Sequence, residues 1–322
     1  MSSPDPRRWV LACEPGALES LAPLVSAHAT RREVSVSTAP IPGDRRGWER
    51  LLGRDAGAVL VVGPYRRSAG RMLPGVLLRD RDGRPVPVGW VPAVRELDAF
   101  TAAAVDVLSR EETDAPVAVL GQVSARYRHL ADRLEHHLDG VPTVRWGAER
   151  VTREDMLTGV TAGLGLAIYL GHGRPSGWAA YRGLRGPDLA PVAERPLGCL
   201  MSVTCWTASR RGVGVSFAER VVLLGAAVSS LGAIRPVLHL DSTRVVVAIA
   251  HALVRRPASV EALITDTFTD AAGDPTPEAF AYRLCGDPAA SLASAAGAAK
   301  RASDVFAPAP DFVPLGARRV PA

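Results

Sequence analysis

The chain has 322 residues, 47% of them hydrophobic, and a formal net charge of +5. That is enough apolar sequence to bury a substantial core, as one large domain or two of about 150 residues each. The positive charge is almost all arginine, with Lys300 the only lysine, and the arginine pairs at 7–8, 31–32, 45–46, 66–67, 210–211 and 255–256 are short and dispersed. A nucleic-acid track needs a continuous basic stripe with interleaved aromatics, so this pattern argues against a nucleic-acid partner.

The polar start, Met1–Arg8, leads into only Trp9–Ala12, too short a run for the apolar core of a signal peptide, and charged residues interrupt the Val221–Leu240 region on both sides. No membrane partner is expected, and the chain reads as cytoplasmic. The four cysteines, Cys13, Cys199, Cys205 and Cys285, lack the paired spacing of a zinc site. They are expected to be free thiols, with no metal and no cofactor.

Short Val/Leu/Ile/Ala runs alternate with amphipathic stretches, the pattern of a parallel sheet with helical crossovers. In chain order, strands are predicted at Trp9–Ala12, Val34–Ser37 and Ala58–Val62, with helices at Ala17–His28 and Trp48–Leu52. Pro-, Gly- and Arg-rich sequence from Gly63 to Gly89 reads as loops with a hairpin about Arg81–Arg84, followed by a helix over Val94–Arg110. A second unit runs through a strand at Pro116–Leu120, a helix at Tyr127–Leu138, a strand at Thr143–Trp146 and a helix at Arg153–Ala162 for which Thr152 is the expected N-cap. Strands at Leu164–Leu170, Leu200–Thr204 and Ala226–Leu231 follow, with a helix over Ser216–Leu224 before the last. We expect two α/β subdomains side by side, residues 1–112 without catalytic residues and 113–300 with them, then a Pro-rich C-terminal extension, 301–322.

Open parallel sheets place their sites at strand carboxyl ends, where the loops diverge. Two such ends carry Gly171-His172-Gly173 and Cys205. An imidazole takes a thiol proton, or stabilises the thiolate, and later protonates a leaving amine. The backbone N–H groups of Gly173 and Cys205 would form an oxyanion hole. A buried structural Cys and a hydrogen-bonded structural His stand as the alternative on spacing alone.

Tyr169-Leu-Gly-His-Gly173 with Trp178 after it, a strand ending at Cys205, Ser216-Phe-Ala-Glu219, Gly225-Ala-Ala-Val228 and a late Gly286-Asp287-Pro288 resemble the catalytic core of the gingipain-type peptidases. The CHAT proteases are similar, with Asp241-Ser-Thr243 opening a helix through Ala248 and Leu253. The resemblance, from about Ala58 to Leu292, implies a caspase-like three-layer α/β/α fold with a mostly parallel sheet and two tandem subdomains. It also implies a cysteine endopeptidase acting on a protein or peptide substrate, with His172 as general base, Cys205 as nucleophile and Gly173 in the oxyanion hole. A regulatory protein partner is expected, since a cytoplasmic thiol protease must be held in check. A catalytically inactive scaffold of the same fold is the alternative.

Two departures from the family bear on specificity and on the histidine. Arg-specific gingipains hold a basic side chain with an acidic residue in the loop after the strand equivalent to Pro116–Leu120. Here that loop is Gly121-Gln-Val-Ser-Ala-Arg-Tyr127, with no acid. Arg126 lies in it, Arg235 follows the strand at Ala226–Leu231, and together with Ser124, Trp178 and Trp206 they form the expected substrate pocket, in which paired guanidiniums would favour an acidic side chain. The loop also lacks the Glu that some gingipain-type enzymes place near the histidine, leaving Ser124, Gln122 or a backbone carbonyl to orient the imidazole.

Overall fold

A computed structural model describes residues 7–64, 75–93, 97–111, 115–189 and 195–305. Most of the expected extension, 306–322, lies outside the described residues, as do 65–74 of the expected loop region and 94–96 of the expected helix start.

The central strands form because their side chains are largely apolar and buried on both faces. Strand β1 (Arg8–Cys13) is followed by α1 (Leu18–Ala29), β2 (Val34–Ser37), α2 (Arg45–Leu52) and β3 (Ala56–Pro64). Then come β4 (Leu77–Arg79), β5 (Pro85–Ala93), α3 (Asp98–Leu108), β6 (Val117–Gly121), α4 (Ala125–His137) and β7 (Thr143–Gly147). The chain continues through α5 (Arg153–Val160), β8 (Leu166–Leu170), the small hairpin β9 (Gly173–Arg174) and β10 (Gly177–Trp178), and β11 (Leu197–Val203). It ends with α6 (Phe217–Leu223), β12 (Ala227–Ala233), α7 (His239–Val254), α8 (Val260–Phe268), β13 (Tyr282–Gly286) and α9 (Ala298–Asp304).

One sheet runs β2-β1-β3-β5-β13-β12-β11-β8-β6-β7, with β4 added against β5. Along β8, Leu166, Ile168 and Leu170 face one core and Ala167 and Tyr169 the other, the period-2 alternation of a strand covered on both sides. One layer is α1, α3, α4, α7 and α8, packing through residues such as Phe100, Leu134 and Ile249. The other is α2, α5, α6 and α9, through Trp48, Met156 and Phe217. The result is a three-layer α/β/α fold. Helix starts follow local chemistry: Asp44 caps α2 at 2.7 Å from Gly47 N, and Thr152 with Asp155 makes the capping box of α5.

The two halves of the chain share this sheet, and β6, β7, β8, β11 and β12 run opposite to β1, β2, β3 and β5 of the first half, which β13 joins. Every neighbour pair on the path is parallel except β12 with β13, and β13 is parallel to β5. The strand carboxyl ends that hold His172 and Cys205 therefore lie at the opposite edge from those of β1, β3 and β5. Only in the second half do the carboxyl ends face the candidate site.

Two central strands differ from the sequence reading. Pro85–Ala93, read as part of a loop region, is a nine-residue strand between β3 and β13, entered through the expected turn at Arg81–Arg84. Its prolines and glycine argue against a strand on propensity, but Val86, Val88, Trp90 and Val91 are buried and burial prevails. Strand β13 carries Arg283, which broke the apolar pattern; the arginine is nevertheless buried. The expected helix over 94–110 is described only as Asp98–Leu108.

Candidate active site

His172 sits just past the end of β8, exposed, on a main chain held from three sides. Its N–H donates to Gln122 Oε1 (2.8 Å), and its carbonyl accepts from Tyr169 Oη (3.1 Å) and from Ala179 N (2.9 Å). Tyr127 Oη meets the imidazole at Nδ1, 3.1 Å away, with the two rings edge to face. Nε2 is left without a partner among the described residues. Burial raises the Tyr127 phenol, Arg126 lowers it and Cys205 raises it; the net is upward, so the group stays a neutral phenol.

Cys205 follows β11 and is half-buried. The N–H of Val237, in the segment between β12 and α7, donates to Sγ at 3.3 Å, and the Val237 carbonyl lies 3.7 Å from Sγ as an acceptor for the thiol proton. A thiolate accepts the N–H bond better than a thiol does, so this donor favours the reactive form. The N–H of Cys205 has no hydrogen-bond partner among the described residues. Trp206 takes a left-handed backbone, φ 67°, with the Arg211 guanidinium over its ring. A bulky non-glycine residue in that conformation stores backbone strain directly beside the thiol.

The His and Cys loops are fastened together by the start of α6. Phe217 N donates to Pro175 O (2.7 Å), three residues past the histidine, and Ala218 N to Thr207 O (2.9 Å), two residues past the cysteine. Glu219 completes a capping box with Ser216 and takes Arg210 in a buried ion pair and Trp90 Nε1 at 3.1 Å. The Ser-Phe-Ala-Glu motif thus clamps both loops.

Gly173 completes the contact. A Cβ there would lie 2.5 Å from Cys205 O and 2.7 Å from the Thr204 side chain, so only glycine lets the His loop rest on the Cys loop. Gly173→Ala is expected to lower kcat/KM about 100-fold while costing about 1–2 kcal/mol of stability, because backbone must shift between the two loops. Steady-state kinetics and a urea titration on the same samples check it.

The other expected positions divide. Trp178 is buried, stacked on Tyr169 at 4.1 Å and bonded through Nε1 to Ser202 Oγ at 3.0 Å. It props the His loop from beneath and offers no surface to a substrate, which removes it from the expected pocket. Ser124 is the N-cap residue of α4, half-buried, and Gln122 holds the histidine main chain; neither orients the imidazole. Sequence reasoning missed Tyr127, whose signal was its place in the first turn of the helix after β6. Arg126 is exposed, donates Nε to His239 Nδ1 at 3.0 Å and lies over the Tyr127 ring. Arg235 is exposed two residues before Val237.

Among the thiols, burial pushes Cys13, Cys199 and Cys285 upward, which keeps them protonated and unreactive. A cavity of about 620 Å³ opens at the opposite ends of β6 and β8, lined by Arg110, Val117, Leu166, Arg256 and Ser294 among others, and brings together no cysteine or histidine.

A thiol and an imidazole on loops at neighbouring carboxyl ends, within a three-layer α/β/α sheet, match the arrangement of the caspase-like cysteine peptidases. The profile of peptidase family C25 matches residues 108–293. The chain belongs to peptidase family C25 and is a cysteine-type peptidase. None of the curated proteins compared with the chain matches it. Among solved structures, it is similar to the complex of Porphyromonas gingivalis RgpB pro- and mature domains, with TM-score 0.66 and 13% identity over 87% of this chain and 78% of that one. It is similar also to the Arg specific cysteine proteinase gingipain R (RGPB), with TM-score 0.64 and 12% identity over 90% of this chain and 79% of that one. At such identities the likeness establishes the gingipain, caspase-like fold.

Proposed function

We propose that the protein is an endopeptidase in which Cys205 is the nucleophile and His172 the general base. The observation that carries this reading is the seating of Gly173 on the Cys205 carbonyl and the Thr204 side chain, which brings the imidazole loop against the thiol loop. Sγ attacks the scissile carbonyl carbon as its proton passes to His172 Nε2. The carbonyl oxygen becomes an oxyanion that the Cys205 N–H, with that of Gly173, would receive. Collapse breaks the C–N bond, His172 returns the proton to the leaving amine, and water, deprotonated by the same imidazole, releases the acyl group from sulfur.

For Nε2 to accept a proton, Nδ1 must carry one and donate it to Tyr127 Oη. A neutral phenol sets the tautomer and the ring plane, as a carboxylate would, without adding a negative charge. Tyr127→Phe is expected to lower kcat about 10- to 100-fold with little change in KM. Alkylation of Cys205 should persist in that variant, since the thiol keeps its Val237 donor.

The test of the whole reading is iodoacetamide labelling with peptide mapping, run beside cleavage of a diverse peptide library. Labelling confined to Cys205, with cleavage lost in Cys205→Ala and His172→Ala, is expected. Equal labelling of all four cysteines with no cleavage would refute it.

A further inference from the structure

Two arginines stand next to the residues that touch the imidazole and the thiol. Arg126 adjoins Tyr127, the partner of the His172 ring, and Arg235 stands two residues before Val237, whose N–H meets Cys205 Sγ. Arg126 also donates Nε to His239, so the same short segment, 235–239, passes from one arginine across the thiol to the other. Both arginines are exposed. Among the described residues, Arg126 donates Nε to His239, lies over the Tyr127 ring and has no carboxylate partner, and Arg235 has no partner. The nearby carboxylates are Glu278, already paired with Arg244, and Asp241, in the first turn of α7 where the helix dipole holds it.

The same segments expose apolar side chains. Val123 (58% exposed) lies three residues before Arg126, and Leu238 (70%) and Leu240 (59%) three and five residues after Arg235; among the described residues large hydrophobics this exposed are few. Exposed apolar side chains beside cations that lack a carboxylate partner among the described residues mark a ligand surface rather than a solvated face.

We propose that the surface around Cys205 selects peptides with Asp or Glu immediately before the scissile bond and apolar residues beside it. This rests on the assignment of Cys205 and His172 above. In the acyl-enzyme that residue is the one bonded to Sγ, and its carboxylate falls between Arg126 and Arg235. A Lys or Arg there meets like charge from both arginines. Arginine suits the task because its fork pairs with a carboxylate through two parallel N–H groups.

The experiment uses Leu-Glu, Leu-Gln and Leu-Lys peptidyl chloromethyl ketones on the full chain, with the rate of Cys205 alkylation read by mass spectrometry. The thiolate displaces chloride to form a C–S bond, so no turnover is needed. The Glu reagent is expected to react about 10- to 100-fold faster than the Gln reagent, and the ratio to shrink with added salt because the arginines are exposed. Arg235→Gln, at a position without structural partners, should cut the ratio about tenfold, and Arg126→Gln likewise. Equal rates for Glu and Gln, or the fastest rate with Lys, would overturn the preference and leave the nucleophile assignment standing. Failure of all three reagents to alkylate Cys205 would defeat both.

Discussion

Replacing Cys205 with alanine is expected to abolish peptide cleavage, a fall of about four to six orders of magnitude in kcat, because no other group in the site can form the acyl intermediate. Stability should barely change: Cys205 is half-buried, and its loss removes only weak sulfur contacts with Val237. The separation of these effects is the informative part. The three remaining thiols are buried in the sheet and held protonated, so they cannot substitute for it. Cleavage assays with matched thermal melts read both effects at once. Residual activity of Cys205→Ala within tenfold of the parent would place the nucleophile elsewhere.

The largest stability effect is expected at Asp287, at the other end of β12 from the site. The chain leaves β13 through Gly286, whose φ of 92° favours glycine, and delivers the Asp287 carboxylate into the core. There it accepts from Trp9 Nε1 (3.1 Å) and Ala289 N (3.0 Å), and lies 2.8 Å from His28 Nε2, while its carbonyl accepts from Ser229. These bonds tie β1 and α1 of the first half to β12 of the second. Asp287→Ala leaves buried donors without acceptors and should cost about 3–5 kcal/mol. Burial raises the carboxyl's pKa, but His28, Ala289 and Trp9 outweigh it, and the net shift is downward. A carboxyl with a lower pKa folded than unfolded contributes its full stability above the unfolded value of about 4, and loses it as pH falls through the folded value. Urea midpoints across that range should drop steeply for the parent and less for Asp287→Ala. Parallel curves would refute the assignment.

Much of this was legible before any coordinates. The βα alternation, the capped start of α5, and the strand ends bearing His172 and Cys205 follow from periodicity and local hydrogen bonding, which sequence neighbours decide among themselves. The motif likeness pointed to two sister families, and the profile match places the chain in C25. What escaped was non-local. Strands β5 and β13 look unfavourable by propensity and exist because neighbouring strands bury them. Gly286-Asp287-Pro288 was visible only as a family motif; its partners at Trp9 and His28 are more than 250 positions away.

The site divides in the same way. The sequence by itself determined which groups have the right chemistry: a thiol and an imidazole at strand ends, with glycines beside the imidazole. Tertiary structure alone decided which residues serve them. Tyr127 takes the ring that Ser124, Gln122 or a backbone carbonyl was expected to hold, because the first turn of α4 is directed at His172. Trp178 turns inward, because stacking on Tyr169 and bonding Ser202 satisfy it there. The reason is physical: hydrogen-bond partners across loops depend on the relative placement of whole strands and helices, which long-range packing sets and no local pattern records.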